Sequence, residues 1–268
     1  MLESLAESRS ALGDVIGRLP YRLQLAGGWI DQPWMSSLNP EPPGSMVVVS
    51  LEPTTRFMDR CGMAAGTRAA ARRLWGDLLP TGDPGQLVRD LYAAENEGVA
   101  EPSGSQDMCG IVYPGVSRLD YDAAIDAGRF PCHVESSCDE DTARWLEKVI
   151  HLVPVMQRPP GYSPLGVKQL DPGWVARLGR SGRACYDAIL ARDLAALGAS
   201  INETAMCWDA LLPQVHVHPT IDLDLRGLLA AYQSQSRGAM YSGCGGGYLI
   251  VASDADVPGS SRVSVRLE

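Results

Sequence analysis

The chain has 268 residues, 45% hydrophobic and 21% charged, which excludes disorder and provides core for one large domain or two small ones without disulfide or metal staples. Lysine and arginine total 23 against 32 acidic residues; the net charge of −9 opposes binding to nucleic acid or anionic membrane but allows a local phosphate pocket. No apolar run approaches the ~18 residues of a membrane span.

The opening stretch MLESLAESRSALGDVIGRLP mixes acids with interrupted apolar residues, unlike a secretion signal, and predicts a helix over 2–18. Tyr21, Leu23 and Leu25 alternate in a strand that runs into the Gly27-Gly28 turn. After a loop at 39–45, the run 46–51 reads as a buried strand. The small-residue loop 61–67 opens onto a helix over 68–75, and Asp83 with Pro84 predicts an N-cap and first turn for a helix from about 84 to 97. Residues 101–107 are again small or polar and lead into 108–112, and the acidic run Glu135 to Asp141 reads as a solvated loop and helix start. A second region opens near 147, with a strand over 149–156 and a loop over 157–164. Helices are expected over 172–179, 182–196, 200–212 and 222–235, then strands over 248–252 and 262–267. Strands and helices without strict alternation predict an α+β fold in two lobes.

The seven cysteines are odd in number, scattered and without a C-x-x-C pair, as expected of reduced thiols in a cytoplasmic protein. Cys132 and Cys138 flank His133, which is too few ligands for zinc, and Val215-His-Val-His218 would set two imidazoles on one face of a strand without further partners. The loop 61–67 lets backbone N–H groups approach an anion at a helix N-terminus, and it reads equally as a tight turn packed on a neighbour. It lacks the lysine of a P-loop. Asp107 and the run Gly245-Gly246-Gly247 have turn readings of their own when taken singly.

In order, however, the chain carries Arg22-Leu-Gln-Leu-Ala-Gly-Gly-Trp-Ile-Asp31, then Gly62-Met-Ala-Ala-Gly-Thr67 before a helix, Glu95 twelve residues ahead of Asp107, and Ser242-Gly-Cys-Gly-Gly-Gly247 before a strand. This series resembles the GHMP kinase superfamily (galactokinase, homoserine kinase, mevalonate kinase, phosphomevalonate kinase), nearest its sugar-kinase branch, such as the heptose 7-phosphate kinases. The resemblance implies a nucleotide-binding lobe over 1–146, like a small-subunit ribosomal protein, and a ferredoxin-like lobe over 147–268, with the site between them. It implies an ATP- and Mg²⁺-dependent kinase acting on a hydroxyl of a sugar-like small molecule, with no nucleic-acid or membrane partner and a homodimer as the candidate assembly.

By the same resemblance Asp107 is the catalytic carboxylate and Arg22 neutralises charge on the transferring group. Gly62, Ala64, Ala65, Gly66, Thr67, Arg68 and Ser105 hold the nucleotide, and Glu95 and Thr67 hold the metal. Gly28, Trp29, Asp31, Gly245 and Gly246 contact substrate, and Arg158 opens a substrate-side loop. Two departures stand out. Galactokinases carry Glu and His at Gly28 and Trp29, and Gly66 occupies the place of the metal-binding Ser, with the hydroxyl of Thr67 one place later. The span from Asp31 to Gly62 is also shorter than in sugar kinases, where the additional residues help cover adenine. A catalytically impaired relative that binds a small ligand as a sensor or partner-binding module is the rival expectation.

Overall fold

The computed structural model describes residues 18–159, 167–218 and 220–268; the helix expected over 2–18 and most of the loop at 157–164 lie outside them. Two antiparallel sheets form the frame. The first, in spatial order, is β1 (Tyr21–Ala26), β2 (Gly44–Leu51), β3 (Val116–Tyr121) and β4 (His133–Ser137). The second comprises β5 (Ile150–Met156), β6 (Gly238–Gly243), β7 (Gly246–Ala252) and β8 (Ser261–Arg262), in the order β6-β7-β5-β8. Among the described residues eight α-helices accompany them: α1 (Pro33–Ser36), α2 (Ala65–Trp75), α3 (Pro84–Asn96), α4 (Gln106–Val112), α5 (Glu140–Val149), α6 (Pro172–Ala191), α7 (Leu194–Leu211) and α8 (Leu225–Gln235). Helix and sheet are mixed, as an α+β fold requires. Among the described residues no helix is long and apolar enough to cross a membrane.

Local chemistry explains the elements that place the site. Every residue of β1, β2 and β3 is buried, because helices cover the first sheet; one apolar core runs from it through α6 and α7 to β5–β7. Helix α3 starts where Asp83 accepts from Gln86 N and Pro84 supplies the first turn, as expected from sequence. Helix α5 is capped by Asp139 on Thr142 N, with Glu140 and Asp141 in its first turn and Lys148 in its last, matching its dipole.

Helix α6 runs unbroken through residues 180 and 181, where the sequence predicts a gap. Glycine is a poor helix former, but here it permits contact: a Cβ on Gly182 would lie 1.9 Å from Ser45 O, so the helix backbone rests directly on β2. The next helix starts at Leu194 behind Asp193, which accepts from Ala195 N and Ala196 N; the expected pair 182–196 and 200–212 is replaced by 172–191 and 194–211.

Strand β3 escaped prediction because its polar residues are buried too: Arg118 pairs with Asp120 at 3.1 Å and Glu135 at 2.9 Å, and Ser45 Oγ donates to Asp120 at 2.6 Å. Glu135 thus lies in the polar edge strand β4, not in a solvated loop. That strand holds Cys132 and Cys138 at its two ends, roughly 20 Å apart at an extended rise. Among the described residues no group of three His, Cys, Asp or Glu is placed to hold a metal. Residues 213–216 form a 3-10 turn, not a strand; His216 Nδ1 meets Asp209 Oδ1 at 2.9 Å, apart from His218.

The expected strand over 262–267 is reduced to β8, followed by a single bridge from Val265 to Leu51. That bridge joins the tail of the second sheet to the first. Arg266 completes the join, donating to Ser50 Oγ at 2.9 Å and to the last carbonyls of α4, Ile111 O at 3.0 Å and Val112 O at 2.9 Å.

Candidate active site

Strand alternation turns Arg22 and Gln24 to the face opposite Tyr21, Leu23 and Leu25. Helix α4 lies across Arg22: a Cβ on Gly110 would fall 2.0 Å from Arg22 Cγ, so only glycine fits. Asp107 lies three residues earlier on the same face and meets the guanidinium, Nη2 of Arg22 donating to Asp107 Oδ1 in a short ion pair. Nη1 of Arg22 donates to Gly62 O at 3.2 Å, tying the β1 cation to the loop before α2. The Arg22 side chain is 6% exposed and that of Asp107 25%, so the pair is anchored on one side and open on the other.

The loop before α2 supplies the next wall. Ala64 has left-handed φ of 57° and α2 carries no side-chain cap, so its first-turn N–H groups remain available to an anion. Gly62 has φ of +81° and its Cα touches the hairpin of the second sheet, where a Cβ would meet Ser242 O at 2.2 Å. Gly247 is equally pressed on Cys61 O, to which Ser242 Oγ donates. Cys244 and Gly245 turn that hairpin between paired Gly243 and Gly246.

Thr67 is fully buried; its hydroxyl donates to Asp107 Oδ2 at 3.4 Å and also bonds Glu95 from α3. Burial, then the like charge of Asp107, pushes the Glu95 carboxyl up to about 7, and its buried Oε2 has no hydrogen-bond partner among the described residues. Two carboxylates and a hydroxyl of this kind are a hard-oxygen donor set, and the orphaned Oε2 is an acceptor in want of a cation. The residues present therefore fit Mg²⁺.

Two cavities meet at this cluster. One, of about 680 Å³, lies beneath the N-terminus of α2, lined by Asp59, Arg60, Ala64, Ala65, Gly66 and Ala69. The other, of about 370 Å³, is lined by Gln24, Trp29, Gln32, Gln106, Trp208 and Cys244. Gly62, Glu95, Ser103, Asp107 and Arg158 border both. Arg158 donates from Nε to Arg60 O at 2.8 Å, and Asn96 holds the loop before α4 by accepting from Ser103 N at 2.8 Å.

The structure thus brings Arg22, Trp29, Gly62, Ala64, Ala65, Gly66, Thr67, Glu95 and Asp107 around one place. Other expected contacts lie elsewhere. Arg68 donates from Nε and Nη2 to Leu19 O and stacks 3.5 Å over the Tyr21 ring, lining with Arg56 and Arg72 a cavity of about 250 Å³ that shares Asp59, Ala65 and Ala69 with the largest one. Ser105 is buried with its hydroxyl 2.9 Å from Tyr121 OH. Gly245 donates to Val215 O and Gly246 faces Met156, so Gly243 and Cys244 line the cavity in their place. Gly28 presents its carbonyl to Trp208 Nε1 at 3.0 Å, behind the wall. Asp31 is 1% exposed and sealed by Gly104, where a Cβ would fall 1.7 Å from Oδ2. It accepts from Gln106 N and Nε2, both at 3.3 Å, and burial pushes its carboxyl up to about 6. Asp31 therefore reaches the cavity through Gln106. Gln24, Gln106 and Trp208 were not anticipated. The run Gly-Ser-Gln-Asp held a signal for Gln106, whereas nothing local marks Trp208, which arrives from α7.

No protein-family model matches the chain, and no curated protein matches it in sequence. Solved structures do. Galactokinase of Lactococcus lactis complexed with galactose superposes with a TM-score of 0.57 at 12% identity, covering 98% of each chain. Phosphomevalonate kinase of Streptococcus pneumoniae gives 0.55 at 11% identity over 88% of this chain and 90% of that one. D-glycero-D-manno-heptose 1-phosphate kinase of Bacteroides thetaiotaomicron gives 0.53 at 11% identity over 93% and 96%. The chain has the α+β fold of the GHMP kinases along nearly its whole length.

Proposed function

We propose that the chain is an ATP- and Mg²⁺-dependent kinase that transfers the terminal phosphoryl group to a hydroxyl of a sugar or sugar-like metabolite. The supporting observation is Asp107, ion-paired to Arg22, at the border of a large cavity beneath a helix N-terminus and a smaller one walled by tryptophan and glutamine. In this reading the first-turn N–H groups of α2 hold the donor phosphates, with Arg60 and Arg158 adding charge. Asp107 orients the acceptor hydroxyl in the smaller cavity and takes its proton, and Arg22 neutralises charge developing on the transferring group. A loose transition state rewards such positioning over a strong base. Glu95 and Thr67 would hold Mg²⁺. The ion, when bound, draws charge from the phosphoryl oxygens. The division at 146/147 into a nucleotide-binding lobe and a second lobe belongs to the same proposal, with β1–β4 before it and β5–β8 after it.

The rival, a ligand sensor without catalysis, is favoured by Gly66, which leaves the exposed second position of α2 without a hydroxyl, that of Thr67 being buried one place later. ATP consumption over a panel of sugars, sugar phosphates, polyols and amino alcohols separates the two. Asp107→Asn keeps an acceptor for Arg22 and should lower turnover by about 10²–10⁴ while the melting shift produced by ATP and Mg²⁺ persists. Undiminished turnover in that variant would refute the role given to Asp107. Stabilisation by a sugar without any response to nucleotide would favour the sensor.

A further inference from the structure

We propose that the acceptor is a two-part molecule: an uncharged polyhydroxylated head bearing the reacting hydroxyl, joined to a flat apolar ring. The inference rests on the kinase reading above and names the substrate class of that site.

The head follows from the walls of the smaller cavity. Gln24 is 3% exposed, and its Nε2 has no hydrogen-bond partner among the described residues. Gln106 spends its Nε2 on Asp31, and its buried Oε1 likewise has no partner among them. Both line the cavity that Asp107 borders. Unpaired buried amides are costly, and together they offer one donor and one acceptor, which suits neutral hydroxyls. The cations of this cavity are Arg22 and Arg158. Arg22 is committed to Asp107 and Gly62 O, and Arg158 borders the donor side and bonds Arg60 O. No other cation lines this cavity among the described residues, and Glu101 at its exit pairs with Lys168 at 3.9 Å. A phosphate or carboxylate on the head would lie there without a counter-charge.

The ring follows from what lies beyond. Gln32, Glu101 and Pro102 also border a second, mainly apolar cavity of about 280 Å³, the annex, walled by Pro33, Trp34 and Tyr92. Its aromatic groups are held in advance. Trp34 Nε1 donates to Gln32 Oε1 at 3.1 Å, Lys168 lies 4.5 Å from the Trp34 ring centroid, and Phe130 meets Tyr92 edge-on at 5.0 Å. The rings of Trp29 and Trp34 are 6.2 Å apart, so aromatic surface continues from head to annex. Arg129 at the outer rim adds a second face for a flat ring.

The test titrates the full chain with 4-nitrophenyl glycosides of galactose, glucose and mannose, the free sugars and their 6-phosphates, reading tryptophan fluorescence and, in parallel, ATP consumption. At least one aryl glycoside should bind about tenfold tighter than its free sugar, with the 6-phosphates weakest. The annex-filling Ala100→Trp should remove that advantage without changing free-sugar affinity or the melting shift with ATP; Trp34→Ala should also remove it, and Trp34→Phe should retain it. Preference for a 6-phosphate, equal affinity for aryl and free sugars, or no aryl glycoside binding overturns the proposal. Aryl-glycoside binding without ATP consumption would keep the two-part ligand class and remove the kinase reading; ATP consumption with a 6-phosphate as preferred acceptor would do the reverse.

Discussion

Glu95 links the stability of the molecule to its site. Burial and Asp107 raise its carboxyl from 4.5 to about 7, a difference of about 2.5 pH units. At about 1.4 kcal/mol per unit, ionising Glu95 in the folded chain costs about 3 kcal/mol more than in the unfolded one. Between pH 4.5 and 7 the folded form retains a proton that the unfolded form has lost, so this group's contribution is full at the acid end and disappears as pH rises through 7. Asp31 acts with the same sign between 3.8 and about 6, so the difference between wild type and Glu95→Gln isolates Glu95. The variant should match wild type near pH 4.5 and melt roughly 5–10 °C higher at pH 8 without Mg²⁺. Calorimetry across this range checks the size and the pH dependence together. Mg²⁺ should stabilise wild type increasingly as pH rises through about 7, because the ion needs the deprotonated carboxylate, and should do little for the variant. An offset of equal size at pH 5 and pH 8, or a variant that melts below wild type at pH 8, would refute the reasoning.

Two glycines give sharper structural tests. Gly62→Ala places a Cβ 2.2 Å from Ser242 O at a φ of +81°, so the loop must shift; backbone strain alone costs about 1–3 kcal/mol, and calorimetry should find a lower Tm with weaker stabilisation by nucleotide. Gly182→Ala drives a methyl group into Ser45 O at 1.9 Å and should destabilise by about 1–3 kcal/mol, with ligand-induced melting shifts preserved because the crossing lies away from both cavities.

Local chemistry made some of this legible in the sequence. Asp83-Pro84 marked the start of α3, and the small-residue loop ahead of α2 marked an exposed helix N-terminus. The resemblance to the GHMP kinases, carried by Arg22, Gly62, Glu95 and Asp107 in their segments, drew attention to residues that the fold places together. What stayed hidden depended on tertiary context. Arg68 follows Thr67, yet one step round the helix turns it from the cavity toward Tyr21. Asp31 keeps its nine-residue offset from Arg22, but Gly104 closes over it and hands its position to Gln106. Strand β3 conceals its alternation because Arg118 and Asp120 pair inside the molecule. Gly179 and Gly182 of α6 read as a break because nothing local reveals the strand that they admit.

Arg266 gives the carboxylate helix an outside brace. Its guanidinium grips the terminal carbonyls of α4, while the backbone beside it is stitched to the first sheet at Ser50, Glu52 and Gly115. Asp107 therefore stands on a support whose far end is fastened by residues late in the chain. Trimming those residues would strip partners from two helix carbonyls and loosen the pivot from a distance, and any rocking between the sheets must unfasten this stitch first.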